Sequence, residues 1–471
     1  MIRFGTGGWR AIIGEDFVQS NIRLLAQTIA EDLKLKSLEE RRIVIGYDRR
    51  FLSDKAAKWT AEVFAGNGVK VYFIEKIAPT PLIMYTVRNM NTPYGIGITA
   101  SHNPAEYNGI KVFIQGGKDA TAEVTYKLEA ICSDIKDTDI RILDFEEAVN
   151  NGDIEIIDPF NRYIDTILEM INTEAIKARG LKILLDPMFG VSKTSLQTIL
   201  VTTRCDVDII NERHDALFGG RLPSPSSATL SRLKDMVTER KYDLGIATDG
   251  DADRLGVIDD LGNFIHPNDI MVLLYYYLLK YKGWRGPVVR NLATTHMLDK
   301  IAEYFGEKCY EVPVGFKHIT AKMEETDAVI GGESSGGLTI RGHIKGKDGI
   351  FAAALLVELI SVTGRNLSDI INELKKEFGN YYMMESNYSF SYDTKTKLMK
   401  LLFEDKELPN FQYKISKVSY MDGVKICFDN GGWTIARFSG TEPLLRIFTE
   451  MSSQEEALKV SNRFRDFLDL K

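Results

Sequence analysis

Seven short β-branched runs recur along the chain: "RRIVIGYD" (41–48), "VKVYFIE" (69–75), "YGIGITAS" (94–101), "LKILLDP" (181–187), "YDLGIATD" (242–249), "GPVVRN" (286–291) and "DAVIGG" (327–332). Each is bounded by glycine or an acidic residue and followed by a stretch with helical spacing of its apolar positions. Strands that alternate with helices give mostly parallel sheets covered by helices on both faces. In such sheets, reactive groups collect where loops leave the carboxyl ends of strands. Ser101 closes one of these runs, and Asp249 and Glu333 stand at the ends of two others.

The 471 residues are enough for two to four domains and for a cleft between them. The fold class expected is α/β: three similar units with mixed or parallel sheets, then a C-terminal α+β unit, around a central cleft. The boundaries fall at 1–150, 151–256, 257–370 and 371–471. The last segment differs in kind, because "YKISKVSY", "GVKICFD", "WTIARFSG" and "LLRIFTEM" read as consecutive strands before a terminal helix. The apolar runs "IMVLLYYYLL" and "IFAAALLVELI" are too short to span a bilayer and read as buried helices. A formal charge of −7 repels polyanions, so neither nucleic acid nor a membrane is an expected partner. Cys132, Cys205, Cys309 and Cys427 are scattered without C-x-x-C spacing, which suits the reducing cytoplasm.

Three constellations carry chemistry. In "TDGDADR", Asp249, Asp251 and Asp253 alternate directly after an apolar strand, and such hard oxygen donors suit Mg²⁺ or Ca²⁺. An EF-hand is excluded, since Arg254 stands at the sixth position from Asp249 and Asp260 at the twelfth. Three carboxylates leave coordination positions open, which calls for a phosphate nearby. In "ARFSGTEP", Arg437, Ser439, Gly440 and Thr441 offer a guanidinium, two hydroxyls and an open backbone, the parts of a phosphate cradle. An ordinary Ser-Gly turn is the plainer alternative. In "GGESSGG", residues 332–336 match the nucleophile elbow G-x-S-x-G, but the only later histidine is His343 and no acidic residue lies between the serine and it, so a hydrolase triad fails. Glu333 and Ser335 fit better as a grip on vicinal sugar hydroxyls.

Ser101, in "TASHNPAEYNGIK", could cap a helix, act as an acyl-transfer nucleophile with His102, or carry a phosphoryl group neutralised by the acidic loop. "GTGGWR" lacks the third glycine of a dinucleotide-binding turn, and "GHIKGKDG" is one residue short of a Walker A loop.

In order along the chain, "FGTGGWR", "GYDRRFLS", "TASHNPAEYNGIK", "TDGDADR", "VPVGFKHI", "GGESSGG", "HIKGKDG" and "RFSGTEP" resemble the motifs of the α-D-phosphohexomutase family, the phosphoglucomutases and phosphomannomutases. The resemblance implies a phosphorylated Ser101 flanked and oriented by His102 and Asn103, with Ser101, Asp249, Asp251 and Asp253 at a Mg²⁺ site. It implies that Arg10, Lys111 and Arg254 face the transferred phosphoryl group, that Lys317, His343 and Lys347 line the substrate cleft, and that Glu333 and Ser335 hold the sugar. Arg437, Ser439, Gly440 and Thr441 match the clamp for the phosphate that does not react. The activity implied is interconversion of hexose 1-phosphate and hexose 6-phosphate through a hexose 1,6-bisphosphate, which also serves as activator. Small-molecule sugar phosphates are then the partners.

Two positions depart from the family pattern. Gly337 stands where the phosphoglucosamine and several phosphomannose enzymes carry histidine, and Ser334 where glutamate, methionine or glutamine is usual. Gly337 together with "RGHIKGKDG" favours glucose phosphates, with mannose admissible. The alternatives are a synthase of the same family that releases glucose 1,6-bisphosphate, and a sugar-phosphate sensor without turnover.

Overall fold

The computed structural model describes residues 2–5, 7–439 and 444–470. Its contacts divide the chain into two compact units, the first made of residues 1–274 and 335–368, the second of residues 275–334 and 369–471.

The first unit holds two sheets of the kind the strand and helix alternation predicts. In one, β1 (Gly8–Ile12), β2 (Arg42–Tyr47), β3 (Lys70–Ile74), β4 (Tyr94–Ile98), β5 (Tyr107–Ile114), β6 (Lys118–Asp119) and β7 (Ile154–Ile157) lie in the order β1-β5-β4-β2-β3-β7, with β6 on β5. β4, β2, β3 and β7 run parallel, while β5 returns antiparallel to β4. The second sheet has β8 (Lys182–Asp186), β9 (Asp206–Ile209), β10 (Leu244–Thr248), β11 (Leu255–Ile258) and β12 (Phe264–Ile265) in the order β12-β11-β10-β8-β9. Here β10, β8 and β9 are parallel and β11 returns antiparallel to β10. The segment β2 to β5 and the segment β8 to β11 therefore share one topology. Every residue of β4 and of β10 is buried, as central strands with both faces covered require.

In the second unit, β13 (Val288–Asn291) lies parallel to both β14 (Cys309–Val312) and β15 (Ile330–Gly332), repeating the arrangement of β2 with β3 and β4. Between β15 and the C-terminal sheet comes β16 (Leu338–Ile340), which belongs to the first unit. The C-terminal sheet is antiparallel throughout: β17 (Tyr382–Ser389), β18 (Ile415–Ser419), β19 (Val424–Phe428), β20 (Trp433–Phe438) and β21 (Leu444–Met451), in the order β17-β21-β20-β19-β18. The helix Gln454–Phe467 packs on it through Ala457, Val460 and Phe464.

The expected third segment, 257–370, is thus shared between the two units. The reason lies in the helix Gly349–Thr363, whose residues from Gly349 to Ile360 are all buried. A helix apolar all round must be covered all round. It packs on the helices Thr173–Arg179 and Lys193–Thr202 of the first unit. No single helix among the described residues is long and apolar enough to cross a membrane.

Candidate active site

β4 and β10 end alike: each apolar strand gives way to a tight loop before its antiparallel return, and each loop contains a non-glycine residue with positive φ, Ser101 at +53° and Ala252 at +62°. Residues of this kind cost free energy in the left-handed region, and such strain concentrates at functional sites. Ser101 is neither a helix N-cap nor solvent-facing. It is buried in a turn, where its N–H donates to Thr99 Oγ1 at 2.8 Å and its hydroxyl to Asp249 Oδ2 at 2.9 Å. Its Oγ also lies 3.2 Å from His102 Nδ1, a closer approach than adjacency on a turn suggests. Burial, with Arg254 and Arg10 nearby, pushes the His102 imidazole far below its usual pKa, so it is neutral.

The three aspartates are buried, and each offers an oxygen within 4.8 Å of the others. Asp249 Oδ1 accepts the N–H groups of Asp253 and Arg254, both at 3.0 Å. Asp251 Oδ2 accepts from Lys111 Nζ and Thr80 Oγ1, both at 2.6 Å. Asp253 Oδ2 meets Lys111 Nζ at 2.8 Å and Lys347 Nζ at 2.9 Å. The remaining oxygens, Asp251 Oδ1 and Asp253 Oδ1, are buried without a hydrogen-bond partner among the described residues. Burial and the two neighbouring carboxylates hold the Asp249 carboxyl well above the usual range. Burial works against charge on Lys111 too, but Asp251 and Asp253 outweigh it and raise its pKa. Two buried carboxylate oxygens without a hydrogen-bond partner fit a cation, and the donor set, all hard oxygen, fits a divalent one.

Arg10 approaches from β1, its Nη1 donating to Asn103 Oδ1 at 2.7 Å. Arg254 follows the acidic loop, its Nε 3.9 Å from Asp253 Oδ1. The first unit therefore brings together Ser101, His102, Arg10, Lys111, Lys347 and the three aspartates. Ser335 is in the same unit and exposed. His343 departs from expectation. It is 4 % exposed, and its Nε2 lies 2.6 Å from Asp348 Oδ2, which also accepts from Tyr163 at 2.8 Å. Because Asp348 Oδ1 caps the helix Gly349–Thr363, His343 serves packing at that helix start rather than lining a cleft.

The other expected residues lie in the second unit. Glu333, directly after β15, accepts from Asn291 Nδ2 at 3.4 Å. Lys317 is in the first turn of the helix Phe316–Thr326. Arg437 Nε donates to Asp422 Oδ2 at 2.9 Å, and the same oxygen accepts Val314 N–H at 2.9 Å. Asp422 thus ties the loop of Lys317 to that of Arg437. Ser439 N–H donates to Leu444 O at 2.7 Å, and Gly440 and Thr441 lie outside the described residues. Thr80 and Asp422 carry no local motif and become visible only through these contacts.

Comparison with known proteins agrees with the geometry. Residues 1–139, 161–262, 266–378 and 398–467 match, in turn, the α/β/α domains I, II and III and the C-terminal domain of the phosphoglucomutase/phosphomannomutase family. The chain belongs to the α-D-phosphohexomutase family. The phosphohexomutase architecture of three α/β domains and a distinct C-terminal domain accounts for the repeated sheets, and the family makes this chain an enzyme. It is 32 % identical to the phosphoglucomutase/phosphomannomutase of Thermococcus kodakarensis, over 99 % of this chain and 97 % of that one. It is 29 % identical to the phosphoglucosamine/phosphogalactosamine mutase of Sulfurisphaera tokodaii, over 99 % of both. A crystal structure from Thermus thermophilus superposes with a TM-score of 0.85 at 28 % identity, covering 99 % of each chain.

Proposed function

We propose that this phosphohexomutase interconverts hexose 1-phosphate and hexose 6-phosphate, with glucose phosphates preferred and mannose phosphates accepted. The observation that carries the reading is the Ser101 hydroxyl, fixed in a left-handed turn 2.9 Å from a carboxylate of a buried aspartate cluster. Asp249, Asp251 and Asp253 are the residues to hold Mg²⁺, which when bound neutralises charge on the transferring phosphoryl group. Phosphorylated Ser101 gives its phosphoryl group to the free hydroxyl of a hexose monophosphate, making the 1,6-bisphosphate. The sugar turns end for end, and the Ser101 oxygen takes the other phosphoryl group back. Arg10, Lys111 and Arg254 supply positive charge around the moving group, and His102 flanks Ser101 with Nδ1 3.2 Å from Oγ. Lys347 joins them through Asp253. Glu333 and Ser335 grip the sugar hydroxyls. Lys317 lines the substrate cleft, and Arg437, Ser439, Gly440 and Thr441 hold the phosphate that is not reacting, reading its geometry rather than the carbon that bears it. The partners are small sugar phosphates rather than nucleic acid or membrane, and the compartment is the cytoplasm.

Preference for glucose over glucosamine is supported at Gly337. A Cβ there would fall 2.2 Å from Lys347 Cδ, so the lysine stem occupies the space a histidine would take. The test is to supply purified enzyme with glucose 1-phosphate, Mg²⁺ and a trace of glucose 1,6-bisphosphate. The expected outcome is mainly glucose 6-phosphate, one phosphate on Ser101 by intact mass, and no turnover by Ser101→Ala. The highest kcat/KM is expected on glucose 1-phosphate, ahead of the mannose and glucosamine 1-phosphates. Accumulation of glucose 1,6-bisphosphate from fructose 1,6-bisphosphate and a glucose monophosphate, with much slower isomerisation, overturns the mutase reading in favour of a synthase.

A further inference from the structure

Against the backbone of the Ser101 loop stands a buried guanidinium. Arg50 follows β2 in the segment "GYDRRFLS", and its side chain is fully buried. Its Nη2 donates to the carbonyl oxygens of Ser101 at 2.8 Å and Asn103 at 2.6 Å, and its Nη1 to those of Pro104 at 2.8 Å and Tyr107 at 2.9 Å. Four carbonyls of one loop thus converge on a single side chain. Phe218 lies under the guanidinium, 4.8 Å from ring centroid to Cζ, and Asp48 Oδ2 lies 3.6 Å from Nε. Asp48 is itself held, its Oδ1 accepting from Arg50 N–H at 2.9 Å and Ser53 Oγ at 2.7 Å. On its other side the Ser101 carbonyl meets the acidic loop so closely that a Cβ on Gly250 would fall 2.7 Å from it.

We propose that Arg50 is a positioning residue for phosphoryl transfer. By gathering the carbonyls of the loop from Ser101 to Tyr107, it imposes the left-handed turn at Ser101 and thereby fixes Oγ against Asp249 and His102. The inference rests on the mutase reading for its kinetic consequence, though not for its geometry. Buried carbonyls must be paired, and the planar fork of arginine, with five donors, pairs four of them at once. A lysine ammonium is a compact point charge with three donors on a shorter stem, and it cannot span the same set. Both Nη atoms of Arg50 are committed to these carbonyls and its side chain is fully buried, which leaves neither for phosphoryl group or sugar. Its loss therefore changes the alignment of Ser101 Oγ as donor and as acceptor and leaves substrate monophosphate binding alone. A displacement of about 1 Å at a reacting atom can cost about 100-fold in rate.

The experiment compares Arg50→Lys with wild type by steady-state kinetics on glucose 1-phosphate and by amide hydrogen exchange. Expected are a kcat lower by about 100-fold, a KM unchanged, and faster exchange confined to the segment 101–107. A kcat within about threefold of wild type, a KM that rises as kcat falls, or a segment 101–107 as protected as in wild type overturns the proposal. If Arg50→Lys does not fold, Phe218→Leu keeps the guanidinium and removes the ring that sets its plane. A reduced kcat at unchanged KM then supports the proposal, and full kcat overturns it. Wild-type enzyme without turnover and without phosphate on Ser101 refutes the mutase reading, while the exchange measurement still decides the role of Arg50.

Discussion

At the scale of single residues, Asp251 and Asp253 each commit one oxygen to protein donors and leave the other without a hydrogen-bond partner among the described residues, whereas both oxygens of Asp249 are engaged. Asp251 shows how this is done. Thr80 binds it twice, Oγ1 to Oδ2 at 2.6 Å and N–H to the backbone carbonyl at 2.9 Å, while Oδ1 is buried without a hydrogen-bond partner among the described residues. Groups that orient metal ligands typically govern affinity or activity by about 10–100-fold. Thr80→Val, which keeps the shape and deletes the hydroxyl, should weaken Mg²⁺ binding within that range, measured by titration calorimetry on the unreacted enzyme, with no change in secondary structure by circular dichroism. Undiminished affinity would mean that Lys111 alone orients Asp251. The aspartates themselves are legible in the sequence, because three carboxylates alternating after an apolar strand are hard to place otherwise. Thr80 is not, since it lies 171 residues from its partner. Arg50 stands within the motif "GYDRRFLS", but its carbonyl partners lie at least 51 residues away, so its role is equally hidden.

Among elements, the most informative outcome is the repetition of one strand order, with Ser101, Asp249 and Glu333 following β4, β10 and β15. Apolar strands ended by a polar residue are visible in sequence because burial on both faces forces a continuous apolar run. β17 is missed for the opposite reason. It is an edge strand of mixed polarity, "YMMESNYS", with no fully buried residue, so neither alternation nor an apolar run marks it. Side-chain networks between elements are less legible still. Lys425 on β19 donates to Leu292 O at 2.9 Å, lies 3.0 Å from His296 Nε2, and pairs with Glu311 on β14, which also pairs with Arg290 on β13. Burial, opposed by Glu311 and reinforced by Arg290 and Lys425, pushes His296 down to about 4. Its unfolded value is about 6.5, so below that pH the unfolded chain binds a proton that the folded chain refuses. Stability contributed by neutral His296 is complete above about pH 6.5 and is lost as pH falls towards about 4. Urea midpoints for wild type and His296→Gln should therefore converge between pH 7 and pH 5, because glutamine does not titrate, whereas His102 and His318, also lowered, remain in both proteins. Parallel midpoints would remove His296 as the source.

Over the whole molecule, the two units carry different parts of the proposed reaction, and kinetics can separate them without reference to their arrangement. The first unit contains the residues proposed to act on the moving phosphoryl group: Ser101, the aspartates, Lys111, Arg10 and Arg254. The second contains Lys317, Glu333 and Arg437, with Asp422 joining the loops of the first and last. A phosphate that does not react is bound equally in ground and transition states, so a residue that holds it contributes uniform binding. Removing such a residue raises KM and spares kcat, whereas removing an interaction made only in the transition state lowers kcat and spares KM. Arg437→Ala should accordingly raise KM for glucose 1-phosphate by an amount corresponding to about 2–5 kcal/mol, the usual cost of deleting one partner of a buried charge-assisted contact. Asp251→Asn should instead lower kcat by orders of magnitude at a similar KM, and chelation of divalent metal should reproduce that loss in wild type. Steady-state kinetics on the two variants decides the matter, because the assignments are opposite. If Arg437→Ala lowers kcat and leaves KM unchanged, "RFSGTEP" serves the transferred phosphoryl group rather than the distal one, and the division of labour proposed for the two units is wrong.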